Sequence, residues 1–263
     1  MLDGKVTLVT GAGQGIGRAI ALEMAAQRAS AVAVVDRNHD SVTETARLIT
    51  DAGGTALALD CDLRERDQIA AIFAETASAF GGLDVLANNA GVIETSLTSD
   101  CTIDTLPEEV WDTVYEINLK AVWLATKFAT PHLRRSTHGP SIVNTASVAG
   151  MIALRGAPAY GTSKAGVAQL TRLAAIDLAP AVRCNCVCPG VIETPLARAF
   201  IDTAEDPAAQ ERAMLSTQLL DRMGRPEEVA KLVCYLASDD AGFITGAAFT
   251  IDGGALAWHG VRH

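Results

Sequence analysis

The sequence lacks the features that would direct the protein to a membrane or a nucleic acid. No apolar run reaches the roughly 18 residues that a membrane span requires, and residues 1–5 lead into a strand pattern rather than a signal peptide. Lys and Arg number 21 against 31 Asp and Glu, a formal net charge of −10, whereas a nucleic-acid partner would need clustered cations. We expect a cytoplasmic protein with neither a membrane nor a nucleic-acid partner.

Histidine and cysteine are few, and their spacing does not suit a metal site. The five histidines show no ligand spacing. The six cysteines fit free thiols, because a domain of this size without an export signal needs no disulfide framework. Cys184, Cys186 and Cys188 alternate along a predicted strand, so they form a line on one face, whereas metal ligands converge on a point. We expect these thiols to serve packing and expect no metal.

Apolar residues are abundant, at 49% of 263 positions, which is enough for one large α/β domain. Strand-like runs alternate with helical patterns, which predicts a doubly wound parallel sheet with right-handed crossovers. The predicted strands are 5–10, 31–35, 55–59, 84–87, 141–147, 183–188 and 247–251. The predicted helices are 18–28, 39–52, 64–80, one beginning near 107, 157–178 and 226–236. We expect a single Rossmann-type domain over residues 1–263, with about seven strands and helices on both faces.

One long segment of helical composition lies between the last two predicted strands. Residues 196–222 are interrupted at Asp206-Pro207, so we interpret them as a mobile lid over the site, which extends over about 191–222.

The first predicted strand runs into a glycine-rich turn that suits a dinucleotide. Residues 10–17 read Thr-Gly-Ala-Gly-Gln-Gly-Ile-Gly before a helical pattern. Glycines let the backbone approach a pyrophosphate, and the helix N-terminus offers free N–H groups and a positive dipole end. About twenty residues later Asp36 ends the second strand, where a carboxylate can accept hydrogen bonds from a ribose diol.

Asp36 also bears on the choice between NAD and NADP. A carboxylate there repels the extra phosphate of NADP, and Gln14 gives the glycine turn no second cation. Arg37 argues the other way, because a guanidinium beside the site could bind that phosphate. We expect NAD, with NADP the less favoured cofactor.

Further polar residues follow the ends of later strands, where open α/β sheets bind ligands. Asp62 follows the third strand, where it can meet the adenine, cap a helix starting near Arg64, or do both. Residues 88–91 read Asn-Asn-Ala-Gly, a tight strand exit. Asn118 lies within a predicted helix, although asparagine is a poor helix former. Without a functional role, its amide would be either solvated or hydrogen-bonded within the core.

Ser147 and the segment 160–164, which reads Tyr-Gly-Thr-Ser-Lys, could act together on one carbonyl. On a helix, Tyr160 and Lys164 emerge on the same face. At roughly 4 Å and an effective dielectric near 20, a unit charge contributes about 4 kcal/mol, or about three pKa units. A phenol so shifted could exchange a proton near neutral pH. Taken alone, the pair is more often simply a tyrosine and a lysine on a helix.

Together these motifs resemble the short-chain dehydrogenase/reductase family in its common single-domain form. The resemblance rests on residues 10–17, 88–91, Ser147, the Tyr-x-x-x-Lys spacing, Pro189-Gly190 with Thr194, and the Asp-Gly-Gly of 252–254, in that order. It implies that Tyr160 is the acid/base, Ser147 holds the substrate oxygen, and Lys164 binds the nicotinamide ribose and lowers the Tyr160 pKa. It further implies that Asn118 holds a water that passes the proton outward, that Thr194 binds the nicotinamide carboxamide, and that the chain forms a homotetramer.

The residues expected at the site divide into a catalytic and a cofactor set. The catalytic set is Asn118, Ser147, Tyr160 and Lys164. The cofactor set is Gly11, Gln14, Gly15, Ile16, Gly17, Asp36, Arg37, Asp62, Leu63, Asn89, Ala90, Gly91, Tyr160, Lys164, Pro189, Gly190, Ile192 and Thr194.

The expected function is an NAD-dependent oxidoreductase that interconverts a secondary alcohol or diol and a ketone. One alternative is a 3-oxoacyl-thioester reductase that uses NADPH, and another is a non-catalytic NAD sensor or scaffold. The sequence does not decide whether the pocket wall is apolar or charged. Apolar side chains flank the site, but Glu94, Arg155 and Arg198 could place a charge in it.

Overall fold

A computed structural model describes residues 1–202 and 204–258. Position 203 of the predicted lid and positions 259–263 of the predicted single domain lie outside the described residues. Within them, seven parallel strands form one sheet in the order β3-β2-β1-β4-β5-β6-β7. The strands are β1 Val6–Thr10, β2 Ala31–Asp36, β3 Ala56–Asp60, β4 Val85–Asn88, β5 Ser141–Thr145, β6 Arg183–Pro189 and β7 Ala248–Ile251. The predicted sheet is confirmed.

Helices cover both faces of the sheet. They are α1 Gly15–Ala26, α2 His39–Asp51, α3 Arg66–Phe80, α4 Glu108–Tyr115, α5 Ala121–Leu133, α6 Pro158–Leu178, α7 Pro195–Asp202, α8 Pro207–Ser216 and α9 Pro226–Ala237. Successive strand residues point to opposite faces, so Val32 and Val34 pack with α1, α2 and α9. Ala33 and Val35 pack on the other side with α3, α5 and α6. The continuous apolar runs of the strands therefore serve two cores.

The order of the strands determines where a site can form. The chain proceeds from β1 outward to β3, then returns to place β4 on the other side of β1. Since all strands are parallel, their carboxyl ends meet at one edge of the sheet. A crevice opens at that edge, at the point where the strand order reverses.

The structure corrects three predicted boundaries. Helix α1 begins at Gly15 rather than at residue 18, because the glycine turn closes early. Strand β5 ends at Thr145, so Ser147 lies just beyond it. The helix expected after residue 107 is divided by a π-helical turn, Glu116–Lys120, between α4 and α5.

The predicted lid consists of two helices, α7 and α8, in its described part. The interruption falls at Asp206, whose side chain accepts a hydrogen bond from the Ala209 N–H at 2.9 Å, and Pro207 occupies the first position of α8. No helix in the described ranges is both long and apolar enough to cross a membrane.

Candidate active site

The exit from β4 is bonded directly to the glycine turn. The Thr10 hydroxyl accepts hydrogen bonds from the Asn89 N–H at 3.0 Å and the Ala90 N–H at 3.3 Å. The Asn89 amide donates to the Thr10 carbonyl at 3.2 Å. A Cβ added to Gly17 would lie 2.0 Å from the carbonyl oxygen of Gly11. These residues thus keep the turn closely packed, a role of Thr10 that the sequence reasoning missed.

The N-terminus of α1 fits a phosphate group. Gln14 precedes the helix in an extended conformation and provides no side-chain cap, and the first turn contains no acidic residue. The first N–H groups of the helix therefore keep their capacity to bind an anion. Gly15 has a φ of +54°, and a Cβ added there would lie 3.4 Å from the Thr194 methyl group. Thr194 thus lies beside the predicted phosphate turn.

Asp36 lies at the end of β2, against the glycine turn. Its Oδ2 accepts a hydrogen bond from the Gly13 N–H at 2.9 Å, and its Oδ1 accepts one from the Asn38 N–H at 3.1 Å. Each carboxylate oxygen keeps lone-pair capacity for a further donor. Arg18 is already engaged, because it donates to the Gly13 carbonyl and, at 3.0 Å, to the Thr45 hydroxyl. Arg37 is exposed.

Asp62 closes a turn rather than capping α3, which begins only at Arg66. Its carboxylate accepts hydrogen bonds from the Arg64 N–H at 3.0 Å and from the Arg64 guanidinium. That guanidinium lowers the pKa of the Asp62 carboxyl. Leu63 lies within the same turn.

Asn118 lies in the π-helical turn, a type of turn frequent at functional sites. Its Oδ1 accepts a hydrogen bond from the Val92 N–H, and its Nδ2 donates to the Val92 carbonyl, both at 2.8 Å. Nδ2 also donates to the Ser163 hydroxyl at 3.2 Å. The fully buried side chain therefore joins the β4 exit to α6. Both polar atoms of the Asn118 amide are therefore bonded within the protein, and the water that the resemblance assigns to Asn118 stays a prediction.

Ser147 and Tyr160 meet at the centre of the crevice. Ser147 is extended, and its hydroxyl accepts a hydrogen bond from the Ala149 N–H at 3.1 Å, which caps a short 3₁₀ turn. The same hydroxyl lies near enough to the Tyr160 phenol to lower the pKa of that phenol. Two groups that could bind one substrate oxygen are thus already adjacent.

Lys164 is almost fully buried beneath Tyr160. Its Nζ donates to the Thr145 carbonyl at 2.8 Å and lies 5.7 Å from the centre of the Tyr160 ring. Burial lowers the pKa of Lys164 to about 8. Gly91 leaves room for it, since an added Cβ would lie 3.2 Å from Nζ.

The pKa of Tyr160 is raised from its ordinary value of 10.0, mainly by burial and further by the Glu94 carboxylate, against the lowering effect of the Ser147 hydrogen bond. The lowering of this pKa by Lys164 stays a prediction. The Lys164 ammonium lies over the Tyr160 ring and donates to a backbone carbonyl.

Glu94 is a site residue whose role the sequence reasoning did not identify. It is fully buried, and its Oε1 accepts hydrogen bonds from the Ala159 N–H at 2.8 Å and the Tyr160 N–H at 3.1 Å. Ala157, the cap position of α6, offers no side-chain hydrogen bond. A sequence signal did exist, since an alanine precedes Pro158 where a capping side chain is usual.

The remaining predicted residues line the lower side of the crevice. Gly190 donates its N–H to the Ile251 carbonyl at 3.0 Å, and an added Cβ would lie 2.8 Å from the Asp252 Cα. Ile192, two residues further on, is buried and pairs with Gly224. Pro189 ends β6.

The structure places the three charged residues differently. Arg198 is committed to Glu193 at 2.6 Å and to Glu211 at 2.9 Å, Glu94 is buried, and Arg155 is exposed. Six large apolar side chains on the segments around the crevice are 40–46% exposed: Leu97, Met151, Ile152, Leu154, Leu196 and Phe200. Such a wall suits a substrate with an apolar body.

The cysteines are all free and buried, as the sequence predicted. In residues 1–202 and 204–258, no group of three or more His, Cys, Asp and Glu side chains is arranged to hold a metal ion.

The chain is similar to known dehydrogenases and reductases over nearly its whole length. Residues 11–255 match a family model described as Enoyl-(Acyl carrier protein) reductase. The chain is 38% identical over 261 residues to 3-oxoacyl-(acyl-carrier-protein) reductase FabG of Thermotoga maritima, with 97% of this chain and 99% of the relative covered. It is 38% identical over 254 residues to cis-4-hydroxycyclohexanecarboxylate dehydrogenase of Sinomonas cyclohexanicum, with 96% and 97% covered. The solved structure of levodione reductase superposes with a TM-score of 0.92 at 28% identity, over 98% of this chain and all of that chain.

Proposed function

Since the chain belongs to the short-chain dehydrogenase/reductase family, whose members act on CH–OH groups with NAD or NADP, we propose that it is an NAD-dependent oxidoreductase that interconverts a secondary alcohol and a ketone. The observation that carries the proposal is the placement of Ser147 near the Tyr160 phenol, with the buried Lys164 ammonium 5.7 Å from the centre of the Tyr160 ring. The crevice that holds them also contains the uncapped α1 N-terminus and Asp36.

The chain's own residues would divide the chemistry as follows. Tyr160 gives a proton to the carbonyl oxygen in reduction and takes one from the hydroxyl in oxidation. Ser147 donates a hydrogen bond to the same oxygen and fixes its position. Lys164 holds a ribose hydroxyl and adds positive charge beneath the ring. Because the Asn118 amide is occupied, we assign any water in the proton path to the Asn118 main chain. When bound, the nicotinamide supplies or accepts the hydride.

NAD is preferred over NADP because Asp36 would stand against a phosphate on the ribose. The α1 N-terminus would bind the pyrophosphate and Thr194 the carboxamide. Arg18 does not oppose this assignment, since its guanidinium is already bonded to Gly13 and Thr45.

We further propose that the substrate is a secondary alcohol with an apolar, preferably cyclic, body. Support comes from the six exposed apolar side chains around the crevice and from the name of the Sinomonas relative, which refers to a ring-borne hydroxyl. The test is a panel of cyclic and linear secondary alcohols with NAD, matched by ketones with NADH, followed by nicotinamide absorbance. We expect the highest kcat/KM with a cyclic alcohol, and no turnover across the panel would contradict the proposal.

A second candidate, 3-oxoacyl-thioester reduction, is favoured by the similarity to the Thermotoga reductase. It predicts efficient reduction of acetoacetyl-coenzyme A with NADPH. The panel therefore includes that thioester, and a higher kcat/KM for it with NADPH than for any ketone with NADH would replace the first candidate. A chain that binds NAD without turning over any substrate would indicate a sensor instead.

We also propose a homotetramer built on the outer helices. Trp123 on α5 and Leu173 and Ile176 on α6 are 47%, 49% and 72% exposed, and Phe243 before β7 is fully exposed. Apolar side chains of this size and number on neighbouring elements suit contact with further copies of the chain.

A further inference from the structure

Glu94 is the one described buried carboxylate that contacts the first turn of α6, the helix that carries Tyr160. Its Oε1 accepts two N–H groups of that turn, one of them from Tyr160 itself. Its Oε2 is also buried and has no hydrogen-bond partner among the described residues. Leaving a buried carboxylate oxygen without a partner costs stability, and a functional role is one explanation for such a group in a native structure.

We propose that Glu94 is a positioning residue for the reaction at Tyr160, which fixes the start of α6 and keeps a negative charge beside the phenol. The inference rests on the proposed acid/base role of Tyr160. The pair of hydrogen bonds from the helix backbone and the buried, unpartnered Oε2 carry it, and the effect of the Glu94 charge on the Tyr160 phenol supports it.

The first contact anchors the catalytic helix. Because Ala157 cannot cap α6, Glu94 performs that function from a distant segment, and an anion at a helix N-terminus is also favoured by the helix dipole. Residues 92–105 are thereby tied to α6 through Glu94, while Asn118 ties Val92 to the same helix through Ser163. Helix α7 of the predicted lid packs on the same short turn, Glu94–Ser96.

The second contact is electrostatic. The groups around the phenol are Ser147 after β5, Lys164 on α6 and Glu94 from the segment before α4, and Cys101 lies beside Glu94 with its thiol pKa raised by burial. Glu94 is thus the nearby anion that opposes ionisation of Tyr160. The consequence is a phenol that stays protonated over a wider pH range, which is the form that donates a proton to a ketone.

The test compares Glu94→Gln with Asp100→Asn as the matched control. Both remove one negative charge from residues 92–105, but Asp100 is exposed and its described hydrogen bond is to Thr98 in its own loop. Glutamine keeps an acceptor for the two N–H groups, so the helix end is retained while the charge is lost. Phenolate absorbance is titrated without cofactor or substrate, with Tyr160→Phe subtracted in each background to isolate this one of the three tyrosines.

We expect a downward shift of the Tyr160 pKa in Glu94→Gln that exceeds any shift in Asp100→Asn. An unchanged pKa, or an equal shift in the control, would overturn the electrostatic role. If the chain unfolds before the phenol ionises, the pH profile of kcat/KM for alcohol oxidation decides in the same way, since its ascending limb must move to lower pH in Glu94→Gln.

The helix contact is tested separately by urea unfolding. Glu94→Ala removes the acceptor and is expected to unfold at lower urea than Glu94→Gln, whereas equal midpoints would overturn the anchoring role. The optical titration and the unfolding experiment need no substrate. If the protein turns over no substrate, but the Tyr160 pKa and the urea midpoint both change as expected, the proposed function is disproved. The positioning role of Glu94 is not.

Discussion

At the scale of single residues, the site depends on two buried ionisable groups whose surroundings disfavour their charged forms. Burial raises the pKa of Tyr160 and lowers that of Lys164 to about 8. Burying an ammonium costs stability, and ionisable groups with shifted pKa values cluster at functional sites. Alcohol oxidation needs the phenolate, so its rate should rise with pH, and ketone reduction needs the phenol, so its rate should fall through the same pKa.

Lys164 provides a stability test of this cost. Between the folded pKa of about 8 and the ordinary value of 10.5, the unfolded chain binds more protons at Lys164 than the folded one, so stability rises with pH in that window. The difference corresponds to at most roughly 3 kcal/mol. We expect the unfolding free energy of the wild type, minus that of Lys164→Met, to increase between pH 7 and pH 10.5. Urea titrations at each pH measure this difference. A constant difference across that range would mean that the ammonium is better solvated than its burial indicates.

Asp36 provides the test of cofactor choice. Asp36→Asn keeps an acceptor for the Gly13 N–H but removes the charge that opposes a ribose phosphate. We expect the ratio of kcat/KM for NADP to that for NAD to rise about 10-fold or more, or about 1.4 kcal/mol. A wild type that already prefers NADP would contradict the assignment of NAD. Arg37 would then be the residue expected to bind the ribose phosphate.

At the scale of elements, the predicted lid is held by an ion-pair clamp. Arg198 on α7 joins Glu193 before the helix to Glu211 on α8. The three side chains are 37–50% exposed, so the pairs contribute little to stability, but they connect the two helices. We expect Arg198→Ala to change KM for the alcohol several-fold with little change in unfolding midpoint. Arg47→Ala, which breaks a comparable pair of contacts on α2, should leave KM unaltered.

The sequence predicted elements better than it predicted contacts. Continuous apolar runs and glycine turns identified every strand, because burial on both faces leaves a strong pattern. The π-helical turn at Asn118 had no such signal, since its residues read as ordinary helix. Glu94 was considered only as a possible pocket charge, because a cap that comes from 65 residues away cannot be seen in local sequence.

At the scale of the whole molecule, the exposed apolar side chains of α5 and α6 lead to the oligomer prediction. A glutamate at Leu173 would place a charge in the middle of the proposed contact between copies. We expect Leu173→Glu to reduce the tetrameric mass in light scattering, whereas Ile103→Glu, at a side chain 81% exposed on the loop before α4, should not. A monomeric wild type would refute the prediction directly.

The central claim is that Tyr160 exchanges the proton of a secondary alcohol beside NAD. The most direct measurement is the rate of NADH formation by Tyr160→Phe with the best alcohol of the panel, together with NAD binding by calorimetry. Phenylalanine keeps the ring beside Lys164 but removes the hydroxyl that would exchange the proton. The account predicts a loss of kcat of about 100-fold or more with NAD affinity within a few-fold of wild type. Turnover close to that of the wild type would contradict it.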